Sequence, residues 1–210
     1  MNILPSEYEP MAAADFIGPA RQVAGLLEQA VKDATAGGKN APIKILINGE
    51  PGIGKSSLAK YLIHLLDCPN KWSVKKYSGP DVDIDVVRGI PADLHYKDLF
   101  GAYRVIQIEE ADVIPPAAQT RFLMLLDELP KACAVICTSN CKLDDFKKRF
   151  QTRFKMFELD APQPEEVATL LRRFGLDPRD VTQISTFACG NVRAAMLDAE
   201  TALQARKLAA

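Results

Sequence analysis

The stretch IKILINGEPGIGKSS, residues 43–57, decides the fold. Residues 43–48 form a short, nearly continuous apolar run, as expected of a strand buried on both faces of a parallel sheet. Residues 49–56 then satisfy GxxxxGK[ST], and residues 55–66 return to helical spacing, with Leu58, Leu62 and Leu65 on one face. A strand, a glycine-rich turn and a helix in that order make a phosphate-gripping loop. The glycines let successive backbone N–H groups turn inward around an anion, and the positive end of the following helix adds to the field. The predicted contacts run through Gly49, Glu50, Pro51, Gly52, Ile53, Gly54, Lys55, Ser56 and Ser57. Lys55 is placed to reach the β- and γ-phosphates of a nucleoside triphosphate, and the Ser56 hydroxyl to ligate Mg²⁺. A chance glycine-rich turn would not carry the strand, the helix and the Lys-Ser pair together.

Working outward, residues 19–36 keep helical spacing through Val23, Leu26, Leu27, Ala30 and Val31, until Gly37-Gly38-Lys39-Asn40 breaks the pattern. Further strands are predicted at 72–78, 105–109, 132–140 and 154–159, with helices at 83–90 and 115–129; Pro115-Pro116 suits a first helical turn. Strands alternating with helices predict an α/β fold, a parallel five-stranded sheet flanked by helices. After Asp160 the strand-like runs stop. Residues 164–174, 179–187 and 191–208 each read as a helix, so a small three-helix domain over 161–210 is expected to follow a nucleotide-binding domain over 1–160.

Composition bounds the function classes. The 210 residues are 48% hydrophobic and 25% charged, with a formal net charge of −1, which is ordinary for a globular chain and not the basic balance of a general nucleic-acid binder. Local basic runs, Lys147-Lys148-Arg149 and Lys71/Lys75/Lys76, read as solvated faces. The N-terminus has acid, proline and no apolar run, and no stretch approaches the ~18 apolar residues of a membrane helix. A soluble, cytoplasmic protein without a membrane partner is expected. Cys133, Cys137 and Cys141 recur every four residues, but the first two sit in a strand-like run where even spacing only means a shared face, and no CxxC pair accompanies them. Free thiols fit a reducing compartment.

A triphosphate site that also turns over needs acids for metal and water. Val105-Ile106-Gln107-Ile108-Glu109-Glu110-Ala111-Asp112 supplies them at the C-terminal end of a strand, where ligands of parallel sheets bind. Glu109 is the candidate for the magnesium or its waters, and Glu110 for polarising the attacking water as general base.

With these motifs in order, the chain resembles the AAA+ ATPases, and within them the clamp-loader and replication-factor-C small-subunit group; the Holliday-junction branch-migration motor is a more distant relative. YEPMAAADFIG, 8–18, is similar to the group's adenine-side segment and implies that Ile17 and Gly18 face the base. GEPGIGKSSLAKYL looks like the Walker A motif, and IEEADVIPPAAQTRFLMLLDELP like the Walker B strand with its helix. ICTSN places Asn140 at sensor 1, where an amide orients the lytic water. FKKRFQTRFKMFEL resembles the arginine-finger segment, which implies Arg153 as the finger, with Arg149 second. GNVRAAMLDAE resembles the lid motif, which implies Arg193 as the sensor 2 arginine on bound ATP. DVDIDVVRGI resembles the clamp-loader stretch that faces the central chamber, which makes Arg88 a candidate DNA-phosphate contact and Arg121 a weaker one. A finger implies partners: copies of this chain or paralogous AAA+ subunits, with duplex DNA and a clamp or helicase as further ones.

Three departures stand out. Glu109 occupies the first Walker B position, where the family normally has Asp, and Glu9 replaces the arginine of the opening Tyr-Arg-Pro. The sequence stops just after the lid, without the clamp-loader collar or the motor's winged helix, so a minimal module or one assembled by partners is expected. Two functions follow: a DNA-associated loader or motor, or a slow nucleotide switch acting through a protein partner. A P-loop small-molecule kinase fits less well, because it would lack the strand-end asparagine and the helical lid.

Overall fold

A computed structural model describes residues 4–68, 73–95, 103–141 and 148–209. Five parallel strands, β1 (Ile43–Gly49), β2 (Val74–Ser78), β3 (Arg104–Glu109), β4 (Cys133–Ser139) and β5 (Lys155–Leu159), lie in the order β2-β3-β4-β1-β5. Ile45 pairs with Ile136 on one side of β1 and with Lys155 on the other, so the strand that leads into the phosphate loop is interior. β4 is buried along its whole length, which explains its unbroken apolar run.

Period-two alternation divides the sheet's side chains between two cores. Ile43, Ile45 and Ile47 face α1 (Gly18–Thr35) and α2 (Lys55–Leu65), with Leu27, Leu58 and Leu62 fully buried against them. Leu46, Ile106 and Ile108 face α3 (Ile84–His95) and α4 (Pro116–Asp127), where Phe122 is fully buried against Phe150 of the short α5 (Lys148–Gln151) and Phe154. Cys133 and Cys137 share this second face, and burial pushes both thiols up; among the described residues no three or more His, Cys, Asp or Glu side chains gather as a metal site. The shared-face reading of the cysteine spacing describes this strand.

The C-terminal part is helical: α6 (Pro164–Leu171), α7 (Pro178–Phe187) and α8 (Val192–Ala209). They enclose a separate apolar cluster built on Val167, Leu171, Val181 and Ala195, against which Tyr8 and Ile17 of the N-terminal segment pack. No helix among the described residues is long and apolar enough to cross a membrane.

Two sequence expectations shift. Leu26, one of the apolar positions that keep helical spacing in the first helix, is 52% exposed, because Ala20, Val23, Ala24, Leu27 and Val31 already fill the buried stripe. The helix expected to end near residue 90 runs on to His95 through Pro91, since Val87, Ile90 and Leu94 are all buried on one face against the α4 core. Trp72, Lys71 and Lys147 fall outside the described residues.

Phe122 carries the second core, so Phe122→Ala is expected to cost about 3–5 kcal/mol in denaturant unfolding. Leu26→Ala, on the solvent face of α1, is expected to stay within about 0.5 kcal/mol of the wild type.

Candidate active site

Because all five strands run the same way, their C-terminal ends share one edge, and the chemistry collects there. β1 ends in Gly49 and β3 in Glu109, while β4 ends in Ser139 with Asn140 directly after it. Polar side chains replace apolar ones as the strands approach this edge: Asn48, Gln107, Thr138 and Ser139 are all buried. A cleft of about 570 Å³ opens above them, bounded by the phosphate loop, the strand-end acids, the N-terminal segment and α8.

Residues 51–54 turn tightly out of β1, and α2 begins at Lys55, with Gly54 at its N-cap in a left-handed conformation (φ 109°) that glycine adopts without a Cβ clash. Lys55 is buried, and its Nζ donates to the carbonyl oxygens of Gly49 (2.8 Å) and Glu50 (2.7 Å). Burial pushes its pKa down and the neighbouring Arg193 guanidinium adds to this, while Asp112, Glu110 and Glu50 oppose both. An ammonium held by two carbonyls at the mouth of a cleft is poised to exchange them for phosphate oxygens. Pro51, Gly52, Ile53, Gly54, Ser56 and Ser57 line the cleft; Gly49 and Glu50 contribute the carbonyls beneath Lys55.

Across the cleft stand Glu109 and Glu110. Glu110 has left-handed backbone (φ 56°, ψ 50°), uncommon for a residue with a side chain. The turn that follows is tied by Val113 N–H donating to the Glu110 carbonyl at 3.1 Å. Asn140 faces this turn twice: its N–H donates to Asp112 Oδ1 (3.2 Å) and its Nδ2 to Glu110 Oε1 (3.4 Å). Asn140 and Glu110 are thus brought side by side at the cleft, and Asp112 fixes the asparagine's backbone. Glu109 Oε1 accepts from Gln107 Nε2 at 3.2 Å. The Ser56 hydroxyl and the Glu109 carboxylate are hard oxygen donors on opposite walls of the cleft, a donor set that fits Mg²⁺ and not a thiolate-seeking metal.

Arg193, near the start of α8, lines the same cleft, and its backbone N–H donates to the Gly52 carbonyl at 3.0 Å. Gly52 (φ 83°) packs so closely on the Asn191 amide that a Cβ there would overlap it. The phosphate loop and the helical part therefore touch directly. A second tie runs through Arg173, which donates to Tyr8 Oη (2.9 Å) and to the carbonyls of Asp15 (2.8 Å) and Ala14 (3.3 Å), while Tyr8 and Phe174 pack edge to face at 5.5 Å. Ile17 lines the cleft; Gly18, beside it with φ 51°, packs against Glu166. Glu9, at the family's arginine position, pairs with Lys60 on α2.

The remaining candidates lie elsewhere. Arg153 donates from Nε and Nη2 to the Asp127 carboxylate (2.8 Å each) and from Nη1 to the Arg149 carbonyl (3.0 Å). These hydrogen bonds hold the Asp127 carboxyl below the usual carboxylate range. Arg88 is exposed and paired with Asp85 one turn away at 3.0 Å; Arg121 is exposed on α4. Sequence reasoning missed Arg173, Asp112 and Gln107. Gln107 did leave a signal, the single polar residue inside an apolar strand.

This arrangement defines a P-loop nucleotide-binding protein. Residues 45–160 match the family described as "ATPase family associated with various cellular activities (AAA)", and the chain belongs to that family. Among solved structures it is similar to the RuvB Holliday junction branch migration motor of Thermotoga maritima, with TM-score 0.73 at 21% identity over 90% of this chain and 63% of that one. It is also similar to a DNA polymerase III gamma subunit-related protein of the same organism, with TM-score 0.57 at 18% identity over 78% of this chain and 57% of the other. The chain thus spans less than two thirds of these neighbours' length, and at such identity the likeness is one of fold. No curated protein sequence matches.

Gly52→Ala is expected to lose more stability than Gly37→Ala. Both backbones are left-handed, but a Cβ on Gly37 meets open space while one on Gly52 meets Asn191. Backbone strain alone accounts for about 1–2 kcal/mol in each, and thermal unfolding of the two variants isolates the remainder as the loop–helix contact.

Proposed function

We propose that this chain is an ATPase that binds and hydrolyses ATP with Mg²⁺ in an oligomer, as part of a DNA-associated loader or motor. The observation that carries the reading is the convergence of four separate segments on one cleft: the phosphate loop, the Glu109-Glu110 turn, Asn140 after β4, and Arg193 on α8. Residues 1–160 form the nucleotide-binding domain in this proposal and residues 161–210 the lid.

Each side chain has a task that follows from its place. Lys55 leaves its two carbonyls for the β- and γ-phosphates, and the backbone N–H groups of the loop surround the same oxygens. Ser56 and Glu109 hold Mg²⁺, which neutralises charge on the phosphates. Glu110 takes the proton of the attacking water, while Asn140 holds that water in line. Ile17 and Gly18 face the base. Arg193 senses the γ-phosphate and transmits its presence through α8 to the helical part. Arg153 lies apart from its own cleft and serves the site of a neighbouring subunit, a copy of this chain or a paralogue. Arg88 and Arg121 are the candidate phosphate contacts if duplex DNA passes the oligomer; the branch-migration function of the structurally similar motor favours such a substrate.

A second reading is a slow switch that signals through a protein partner. Glu109 in place of Asp and the engagement of Arg153 with its own Asp127 favour it.

Two measurements test these readings. Glu110→Gln is expected to lower kcat about 10²–10⁴-fold while nucleotide affinity is kept; unchanged hydrolysis would remove the base assignment. Mixing Glu110→Gln with Arg153→Ala chains, each inactive alone, is expected to restore part of the activity, because one composite site then has both groups. The same ATPase assay with and without primed duplex DNA, alongside mass measurement with a non-hydrolysable ATP analogue, separates the two functions. A monomer without DNA response under every condition overturns the loader reading and leaves the switch.

A further inference from the structure

Gln107 is fully buried in the middle of β3, between Ile106 and Ile108, at a position where a strand covered on both faces normally carries an apolar side chain. Residues two apart on a strand share a face, so Gln107 lies directly behind Glu109. Its Nε2 donates to Glu109 Oε1 at 3.2 Å, while its own Oε1 takes no hydrogen bond among the described residues. An amide buried with one end unmet is unfavourable in a sheet core, so the contact it does make calls for an explanation.

Glu109 supplies it. One methylene longer than Asp and free to rotate about an extra bond, its carboxylate would sweep a larger arc at the strand end. A donor fixed behind it from the same strand limits that arc and holds one carboxylate oxygen back towards the sheet. We propose that Gln107 is a positioning residue for metal binding: it restrains the long Glu109 side chain so that its carboxylate meets the cation where a shorter acid would. This inference rests on the assignment of Glu109 to Mg²⁺ made above. Gln107 itself touches neither metal nor nucleotide; it acts through Glu109, as outer partners of metal-ligating carboxylates do.

The test is Mn²⁺ titration followed by electron paramagnetic resonance, on the full chain with ADP bound, with nucleotide affinity in EDTA measured in parallel. Gln107→Met keeps the length and volume of the side chain and removes the donor. It is expected to weaken Mn²⁺ affinity about tenfold and to leave metal-free nucleotide affinity unchanged. Adding Glu109→Asp is expected to recover most of that loss, because the shorter acid no longer needs restraint. Should the Met variant fail to fold, Gln107→Asn replaces it with the same expectations, since its amide falls short of Glu109. Equal Mn²⁺ affinity in wild type and variant overturns the proposal, as does a loss that Glu109→Asp does not recover. A wild type whose nucleotide complex binds no Mn²⁺ overturns instead the metal assignment itself, so the two failures are distinct.

Discussion

Parallel pairing of five strands is the constraint from which the site follows. It sends every strand's C-terminal end to one edge, so the loop after β1, the acids after β3 and the asparagine after β4 meet there although they come from distant parts of the chain. It also buries β1 and β4 on both faces, which fixes the height of the edge against two cores. Lys55 shows what that rigidity achieves. Its ammonium has left bulk water and is solvated by two carbonyls of its own loop. Phosphate oxygens arriving there replace polar partners and need not strip a hydration shell.

The helical part is coupled to this edge at two points of different character. Gly52 packs closely on the Asn191 side-chain amide, and the Arg193 N–H donates to the Gly52 carbonyl. Arg173 gripping Tyr8 and two carbonyls of the N-terminal segment is a polar clasp on a long side chain. The first joins the phosphate loop itself to the start of α8, and the second joins the N-terminal segment to the turn after α6.

Much of this was legible in the sequence. The apolar run of β1 and the GxxxxGK[ST] spacing placed strand, loop and helix; the hydrogen bond between Asn140 and Glu110 lay beyond the motifs, which single out the two residues and not the contact. Periodicity erred where burial is decided by neighbours: Leu26 has the hydrophobicity of a core residue but lies outside the stripe, and the helix through Pro91 persists because Leu94 is buried beyond it. Motifs also carry an expected role for a side chain and not the partner it holds. Nothing in FKKRFQTRFKMFEL indicates that Arg153 would clasp Asp127, because the partner comes from another helix and the bond depends on how α4 and α5 pack. Asp112 and Arg173 escaped for a similar reason: their partners, the Asn140 N–H for one and Tyr8 Oη with two carbonyls for the other, lie far away in sequence.

If Arg153 serves a neighbouring subunit, as proposed above, its pairing with Asp127 bears on assembly. An arginine that leaves this carboxylate for a phosphate on an adjoining subunit trades one anion for another, so the number of charge-assisted bonds it makes is nearly conserved. Asp127, half exposed, is readily rehydrated once released. The electrostatic drive of such an exchange would be only the difference between two anionic partners, and added salt would weaken both sides of it together. Joining subunits would then depend on the shape and apolar match of their faces, with the ion pair acting as a counterweight that sets which anion the arginine prefers.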